Sequence, residues 1–150
     1  MTDRPDTPAE LKARALRHLV RREHSRAELE RKLASHAESP AALHEVLDVL
    51  LSKQQQSDAR YAEERARTLS RKYGAARIRH DLRAKGIAED IVATVSTEGE
   101  LERARAILSR KYRDHAITRE ERAKRARFLQ SRGFSMEVIS RLIRGSEDSV

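Results

Sequence analysis

The sequence predicts an all-α protein built from three tandem three-helix cycles. One observation is an internal copy: Leu69-Ser70-Arg71-Lys72-Tyr73 recurs letter for letter as Leu108-Ser109-Arg110-Lys111-Tyr112, with a looser version at Leu19-Val20-Arg21-Arg22. A second is a repeated stop. Leu82-Arg83-Ala84-Lys85-Gly86-Ile87 is echoed by Leu129-Gln130-Ser131-Arg132-Gly133-Phe134, and a short apolar segment follows each (Ile91, Val92, Val95; then Val138, Ile139, Leu142). The third is periodicity: apolar residues recur three and four apart, while alternating runs bounded by turns are absent. Internal repetition outranks other fold signals because it implies stacked units with small shared cores. The expected boundaries are a mobile tail at 1–8, cycles at 9–56, 57–98 and 99–144, and a polar tail at 145–150.

Each element has a local reason. Thr7 and Pro8 suit the cap and first turn of a helix carrying Leu11, Ala15, Leu16, Leu19 and Val20, ending near Glu23 or His24. Ser25 with Glu28 three residues on forms a capping-box pattern for a helix that buries Leu29 and Leu33. Ala37, Glu38 and Ser39 break it, and Pro40 opens the most apolar helix, with Leu43, Val46, Leu47, Leu50 and Leu51. The polar run Lys53 to Gln56 ends that helix or links onward. Ser57 or Asp58 caps the next, whose core positions are Ala62, Ala66, Leu69 and Tyr73. Gly74 separates it from a basic helix at 75–85, which Gly86 stops in the left-handed conformation that only Gly adopts without steric cost. A short helix at about 88–95 and a linker at 96–99 complete the cycle. The third cycle starts with Leu101, Ala104, Leu108 and Tyr112. Its interval from Leu108 to Leu129 exceeds the matching ones, with Asp114, His115, Ala116 and Ile117 as a loop. Thr118 and Glu121 form another capping box before a helix with Ala123, Ala126 and Leu129. Gly133 ends that helix, and Ser135 caps the last.

Composition narrows the function. Leu, Ile, Val and Phe contribute only 31 of 150 residues and charged residues 37%, so small stacked cores fit better than one large core. The absence of Cys excludes disulfides, thiolate zinc sites and a cysteine nucleophile and suits a reducing cytoplasm, the expected compartment. No run approaches the roughly 18 apolar residues of a membrane span, and residues 1–8 have no apolar region of the kind a secretory signal needs. Net charge is +8 with a pI near 10.3, favouring an anionic partner. Basic and acidic stretches alternate: Arg65 to Lys85 holds eight basic residues and one acidic, whereas Gly86 to Glu102 holds five acidic and none basic.

Catalytic patterns are absent. The six histidines make no HExxH spacing, the glycines form no phosphate-cradling loop, and adjacent carboxylates such as Glu63 and Glu64 point in different directions on a helix. No cofactor, metal or catalytic residue is expected. The basic clusters carry the signal instead. Candidate contact residues are Arg21, Arg22 and Arg26 in the first cycle, then Arg71, Lys72, Arg77, Arg79, Arg83 and Lys85 in the second. In the third they are Arg110, Lys111, Arg122, Arg125 and Arg132. Arg pairs bidentately with either phosphate or carboxylate, so the clusters alone do not choose between DNA and an acidic protein. Exposed aromatics would mark a single-strand binder, but Tyr73 and Tyr112 fall on apolar stripes and are expected in the core. Reversing Arg77, Arg79 and Arg83 together is expected to leave helicity intact and weaken binding about tenfold or more.

With the repeats laid out, the chain resembles the bacterial RecX family over about Ala15 to Arg144. The resemblance rests on Ala15-Leu16-Arg17-His18-Leu19, Arg21-Arg22-Glu23-His24-Ser25-Arg26-Ala27-Glu28-Leu29 and Ser57-Asp58-Ala59-Arg60-Tyr61-Ala62-Glu63. It continues through Tyr73-Gly74-Ala75-Ala76-Arg77-Ile78-Arg79, Leu82-Arg83-Ala84-Lys85-Gly86-Ile87 and Phe128-Leu129-Gln130-Ser131-Arg132-Gly133-Phe134-Ser135. The resemblance implies an elongated, curved molecule that lies in the groove of the RecA filament on single-stranded DNA; a monomer is expected. It further implies blocked filament extension, lowered ATP hydrolysis and strand exchange, and restrained recombination and SOS signalling. It implies no catalytic residues, and weak direct DNA binding is compatible with it. Two departures stand out: Ala37-Glu38 replaces a Gly-apolar pair, and Gln54-Gln55-Gln56 replaces an apolar junction. The competing readings are a direct DNA-binding architectural protein of helix-turn-helix-like modules and, less supported, an enzyme without a recognisable motif.

Overall fold

Local capping and stop signals divide the chain into helices largely where the sequence places them. The computed structural model describes residues 4–116 and 118–145. Among them the elements are α1 (Pro8–Arg21), α2 (Arg26–Leu33), a 3-10 turn (Ala34–His36), α3 (Pro40–Ser52), α4 (Asp58–Leu69), α5 (Ala75–Ala84), α6 (Glu89–Val92), α7 (Glu100–Lys111), α8 (Arg119–Ser131) and α9 (Met136–Gly145). There is no strand among the described residues, and the helices follow one another as three tandem groups of three. Ile117 and the tail positions 1–3 and 146–150 lie outside the described residues.

Thr7 and Thr118 complete their capping boxes with Glu10 and Glu121. Ser39, Ser57 and Ser135 accept from the Ala42, Arg60 and Val138 amides. Ser25 caps α2, but its box is only half made. The Glu28 carboxylate instead takes the Arg22 guanidinium at 3.0 and 2.6 Å and Lys32 at 3.5 Å. The stops also differ between cycles. Gly86 and Gly133 adopt φ +81° and +90°. Ala37, in contrast, leaves the 3-10 turn in extended backbone, so the first cycle needs no glycine there. Gln54 takes φ +60° to close α3: the Gln55 amide donates to Leu50 and the Gln54 amide to Leu51, both at 2.9 Å, the paired bonds of a Schellman stop.

By internal contacts the chain divides into two compact units: Met1–Glu64 with Arg83–Val92, and Arg65–Leu82 with Ala93–Val150. In unit one, α1, α2 and α3 close over Leu11, Ala15, Leu29, Leu33, Leu43, Val46, Leu47 and Leu50. Val20 and Leu51, expected on the apolar stripes, are 86% and 50% exposed; each lies about 100° around the helix from its neighbour that faces the core. Residues 4–7 are tied down rather than free. Arg4 clamps Glu10 at 2.8 and 3.0 Å, Arg14 holds Asp6 at 2.8 Å, and the Asp6 amide donates to the His36 carbonyl. The glutamine run joins the first and second cycles by a polar network. Gln56 is buried and donates to the His24 carbonyl and to Asp58 at 3.0 Å; Asp58 also accepts from the Arg26 amide, and Arg60 pairs with Glu23 at 3.0 Å. Satisfied in this way, a buried amide costs little.

His24 sets the acid response of unit one. Its Nδ1 lies 3.0 Å from the Arg22 carbonyl, an acceptor, and its Nε2 lies 3.1 Å from the Lys32 ammonium, a donor. The ring must therefore carry its proton on Nδ1 alone, and a second proton would face an ammonium. Burial, the largest cause, pushes His24 and its neighbour His18 below the ordinary 6.5. Hydrogen bonds from Arg4 and Arg22 hold Glu10 and Glu28 down to about 2. A lowered histidine contributes stability above its unfolded pKa and loses it as the pH falls below that value. A lowered carboxylate contributes above its unfolded value of 4.5 and loses that on the way to its folded one. The urea midpoint, followed by circular dichroism, is therefore expected to fall in two stages: first below about pH 6.5, then below about pH 4.5. His24→Gln shrinks chiefly the first stage, since His24 is a lesser cause of the lowered Glu28 than Arg22 is. A flat profile between pH 7 and 5 would contradict this account.

Unit two closes α7, α8 and α9 over Ala104, Ile107, Leu129, Phe134 and Ile139. The segment that starts α5 crosses the end of α8 at Gly74 and Gly133. The Gly74 amide donates to the Arg132 carbonyl at 2.7 Å and the Ala76 amide to Gly133 at 3.3 Å. Only two residues without Cβ allow this approach. A Cβ on Gly74 would lie 2.8 Å from the Phe134 nitrogen, and one on Gly133 would lie 2.9 Å from the Arg77 Cα, with closer contacts besides. Glu100, buried in the first turn of α7, accepts from the Ala75 amide at 2.7 Å, placing a carboxylate at the positive end of α5.

Candidate functional site

The duplicated Leu-Ser-Arg-Lys-Tyr segment builds the site. In both copies Tyr falls just past a helix end, its amide bonded to the carbonyl four residues back: Tyr73 to Leu69 and Tyr112 to Leu108, both 2.9 Å. Each ring is thereby released from the helix stripe and becomes half-buried, not the core residue expected. Cations settle on the rings. Arg77 lies 4.9 Å and Arg132 5.5 Å from the Tyr73 centroid. Arg132 and Lys111 lie 5.0 and 4.9 Å from Phe128, and Arg125 lies 4.5 Å from Tyr112. Phe128 meets Tyr112 edge to face. The result is an alternating ladder of rings and cations across the second and third cycles.

Carbonyls hold several of these side chains. Arg110 donates to the Arg71 carbonyl at 2.9 Å, Arg132 to Lys72 at 3.3 Å, and Arg77 to Ser131 at 3.1 Å. The oxygens belong to helix ends and the turns after them, where carbonyls lack helical partners. Seven cations thus gather in unit two: Arg71, Lys72, Arg77, Arg110, Lys111, Arg125 and Arg132. Among the described residues none of these seven has a carboxylate at salt-bridge distance, whereas Arg65 pairs with Asp81 and Arg105 with Glu102 in the same unit. Each ring contact stabilises a cation by about 0.5–1 kcal/mol and leaves guanidinium edges free to fork onto an oxyanion.

The remaining sequence candidates lie elsewhere. Arg22 is clamped by Glu28, Arg26 by Glu30 and Asp48, and Arg83 by Glu89 at 2.6 Å. Arg21 is exposed at the end of α1, beside Arg17 and Val20. Lys85 is half-buried in unit one and Arg122 half-buried on α8. Arg79 donates to the Val95 carbonyl at 2.9 Å, with its Nε buried and unpartnered. Arg77, Arg79 and Arg83, expected to act together, thus have three different partners, and only Arg77 joins the ladder. The first cycle builds no ladder because Glu23 stands where the other copies have Tyr. The sequence signals for the ring platform were Arg77 four residues after Tyr73 and a cation directly before each Tyr. Nothing local marked Glu100 or Gln56.

The fold and site define a basic, all-helical tandem-repeat protein whose unpaired cations gather in the second and third repeats. Sequence models of RecX match it in three consecutive pieces: the first three-helix domain at residues 12–50, the second at 57–95 and the third at 98–143. The chain belongs to the RecX family. It is 41% identical over 146 residues to the regulatory protein RecX of Ralstonia nicotianae, covering 95% of this chain and 92% of that one. It is 43% identical over 139 residues to that of Leptothrix cholodnii, covering 89% and 87%. The crystal structure of RecX from Lactobacillus salivarius superposes with a TM-score of 0.81 at 24% identity, over 93% of this chain and 96% of that one. The Ralstonia and Leptothrix relatives carry the name of regulatory proteins. Among the described residues no helix is long and apolar enough to cross a membrane.

Proposed function

We propose that this protein is a non-enzymatic regulator that binds the RecA filament on single-stranded DNA along its groove. There it inhibits filament extension, ATP hydrolysis and strand exchange, and so restrains recombination and the SOS response in the cytoplasm. It acts as a monomer and needs no cofactor. Family membership supports the regulatory role. The observation that carries the contact surface is the group of seven cations without carboxylate partners, which suits the anionic face of a nucleoprotein assembly. Repeats placed in tandem let several weak charge contacts add through effective concentration.

The test is DNA-dependent ATP hydrolysis by the cognate RecA, with this protein titrated in. Inhibition at a small fraction of the RecA concentration is expected, because one bound molecule affects an assembly. The ladder would also suit the phosphates of naked DNA. Inhibition that appears only when this protein saturates the DNA, with a steep salt dependence, would replace filament regulation by DNA competition.

A further inference from the structure

Unit two carries a second recognition feature beside the ladder. The C-terminal half of α7, the segment after it, α8 and α9 enclose an open groove of about 390 Å³, within the size range of ligand sites. Its floor is aliphatic: Leu108, Leu142 and Ile143 are half-buried against the core. Arg113, Arg125 and Arg141 rise around it, and Asp114 is the single carboxylate among its lining residues. Arg113 and Arg141 are exposed, and neither has a carboxylate at salt-bridge distance among the described residues. An apolar floor inside a cationic rim asks for an occupant that is apolar at one point and anionic around it.

We infer that this groove docks an acidic peptide segment of a partner protein, seating an aliphatic side chain on Leu108, Leu142 and Ile143 and pairing flanking carboxylates with Arg113 and Arg141. A nucleic acid strand fits less well. Base stacking needs an open ring face, and the phenol ring here, Tyr112, has Arg125 over it at 4.5 Å and Phe128 against it at 6.0 Å, leaving only the small His115 imidazole. The aliphatic floor offers nothing to a phosphate, whereas it can seat an aliphatic side chain. A buried apolar anchor ringed by charge pairs is, by contrast, the usual arrangement of a peptide hot spot. The docking goes beyond filament binding and requires no RecA.

Fluorescence anisotropy tests it with the full chain and a short fluorescein-labelled peptide alternating glutamate and leucine. Versions with leucine changed to serine or glutamate to glutamine are expected to bind on the order of tenfold more weakly or worse. The Arg113→Glu/Arg141→Glu variant should lose the parent peptide while keeping its circular dichroism. Arg113→Gln alone should weaken binding severalfold, and it carries the test if the double variant misfolds. Arg71→Glu/Lys72→Glu, outside the groove, should bind the peptide as the unaltered chain does. Equal affinity for the serine peptide would reduce the site to bulk electrostatics and overturn the proposal. So would an unchanged affinity in both groove variants, or displacement of the peptide by oligo-dT that itself binds more tightly. Because the assay contains no RecA, its failure leaves the filament-regulator proposal standing, and failure of that proposal leaves the groove standing.

Discussion

Reversing Arg71, Lys72 and Lys111 to glutamate is expected to weaken binding to RecA filaments by about tenfold or more, or about 1.4 kcal/mol, without unfolding the protein. These three are the exposed ladder-side cations whose side chains hold no carbonyl, and Lys111 contributes only ring contacts. Reversal replaces three attractive charges by three repulsive ones at a site where no internal carboxylate has already cancelled them. The loss should grow at low ionic strength, as exposed charges do. Arg83→Gln and Arg22→Gln serve as contrasts, because each of these arginines is neutralised by a glutamate. They should change filament binding little. Sedimentation with filaments on single-stranded DNA would show it, and an equal loss in the contrasts would mean that net charge, not the ladder, governs binding.

Gly133→Ala is expected to cost unit two about 3 kcal/mol or more. Two terms add. A non-glycine residue at φ +90° carries about 1–2 kcal/mol of left-handed strain. The new Cβ also meets the Arg77 backbone, and overpacking against atoms that cannot swing aside costs typically about 1–3 kcal/mol. Moving that backbone would also break the bonds from Gly74 to Arg132 and from Ala76 to Gly133. For a chain of this size the thermal midpoint should drop by about 6–12 °C, read by differential scanning calorimetry. Because the same crossing sets Arg77 beside Tyr73 and Ser131, the variant should also lose filament affinity at temperatures where it is still folded. A midpoint within a degree or two of the parent would show that the crossing can open without cost.

The sequence reached most of the helical architecture through short-range rules. Thr7 with Glu10 and Thr118 with Glu121 read as starts because a capping box spans only three residues. Gly86 and Gly133 read as stops because no other residue adopts the left-handed conformation as cheaply. The duplicated Leu-Ser-Arg-Lys-Tyr segment exposed the repeat. The same rules misplaced Val20, Leu51, Tyr73 and Tyr112, whose stripe positions say that they lie near an apolar face but not whether a neighbour covers it. The glutamine run replaces an apolar junction, yet Gln56 is buried with both bonds of its amide nitrogen satisfied by His24 and Asp58.

By itself, then, the sequence determined that this protein is helical and tandemly repeated, where most of its helices begin, and that its cations come in repeated clusters. Only the tertiary structure decided which cations remain for a partner. Arg22 and Arg83 are cancelled by glutamates six residues away, while Arg71, Lys72 and Lys111 meet no carboxylate, and composition and spacing look alike for both groups. The reason is physical. Helix starts, stops and periodicity depend on residues within about one turn of each other. Ion pairing and ring contact depend on distances of a few ångströms between residues such as Arg77 and Ser131, which come together only because Gly74 and Gly133 let two backbones cross.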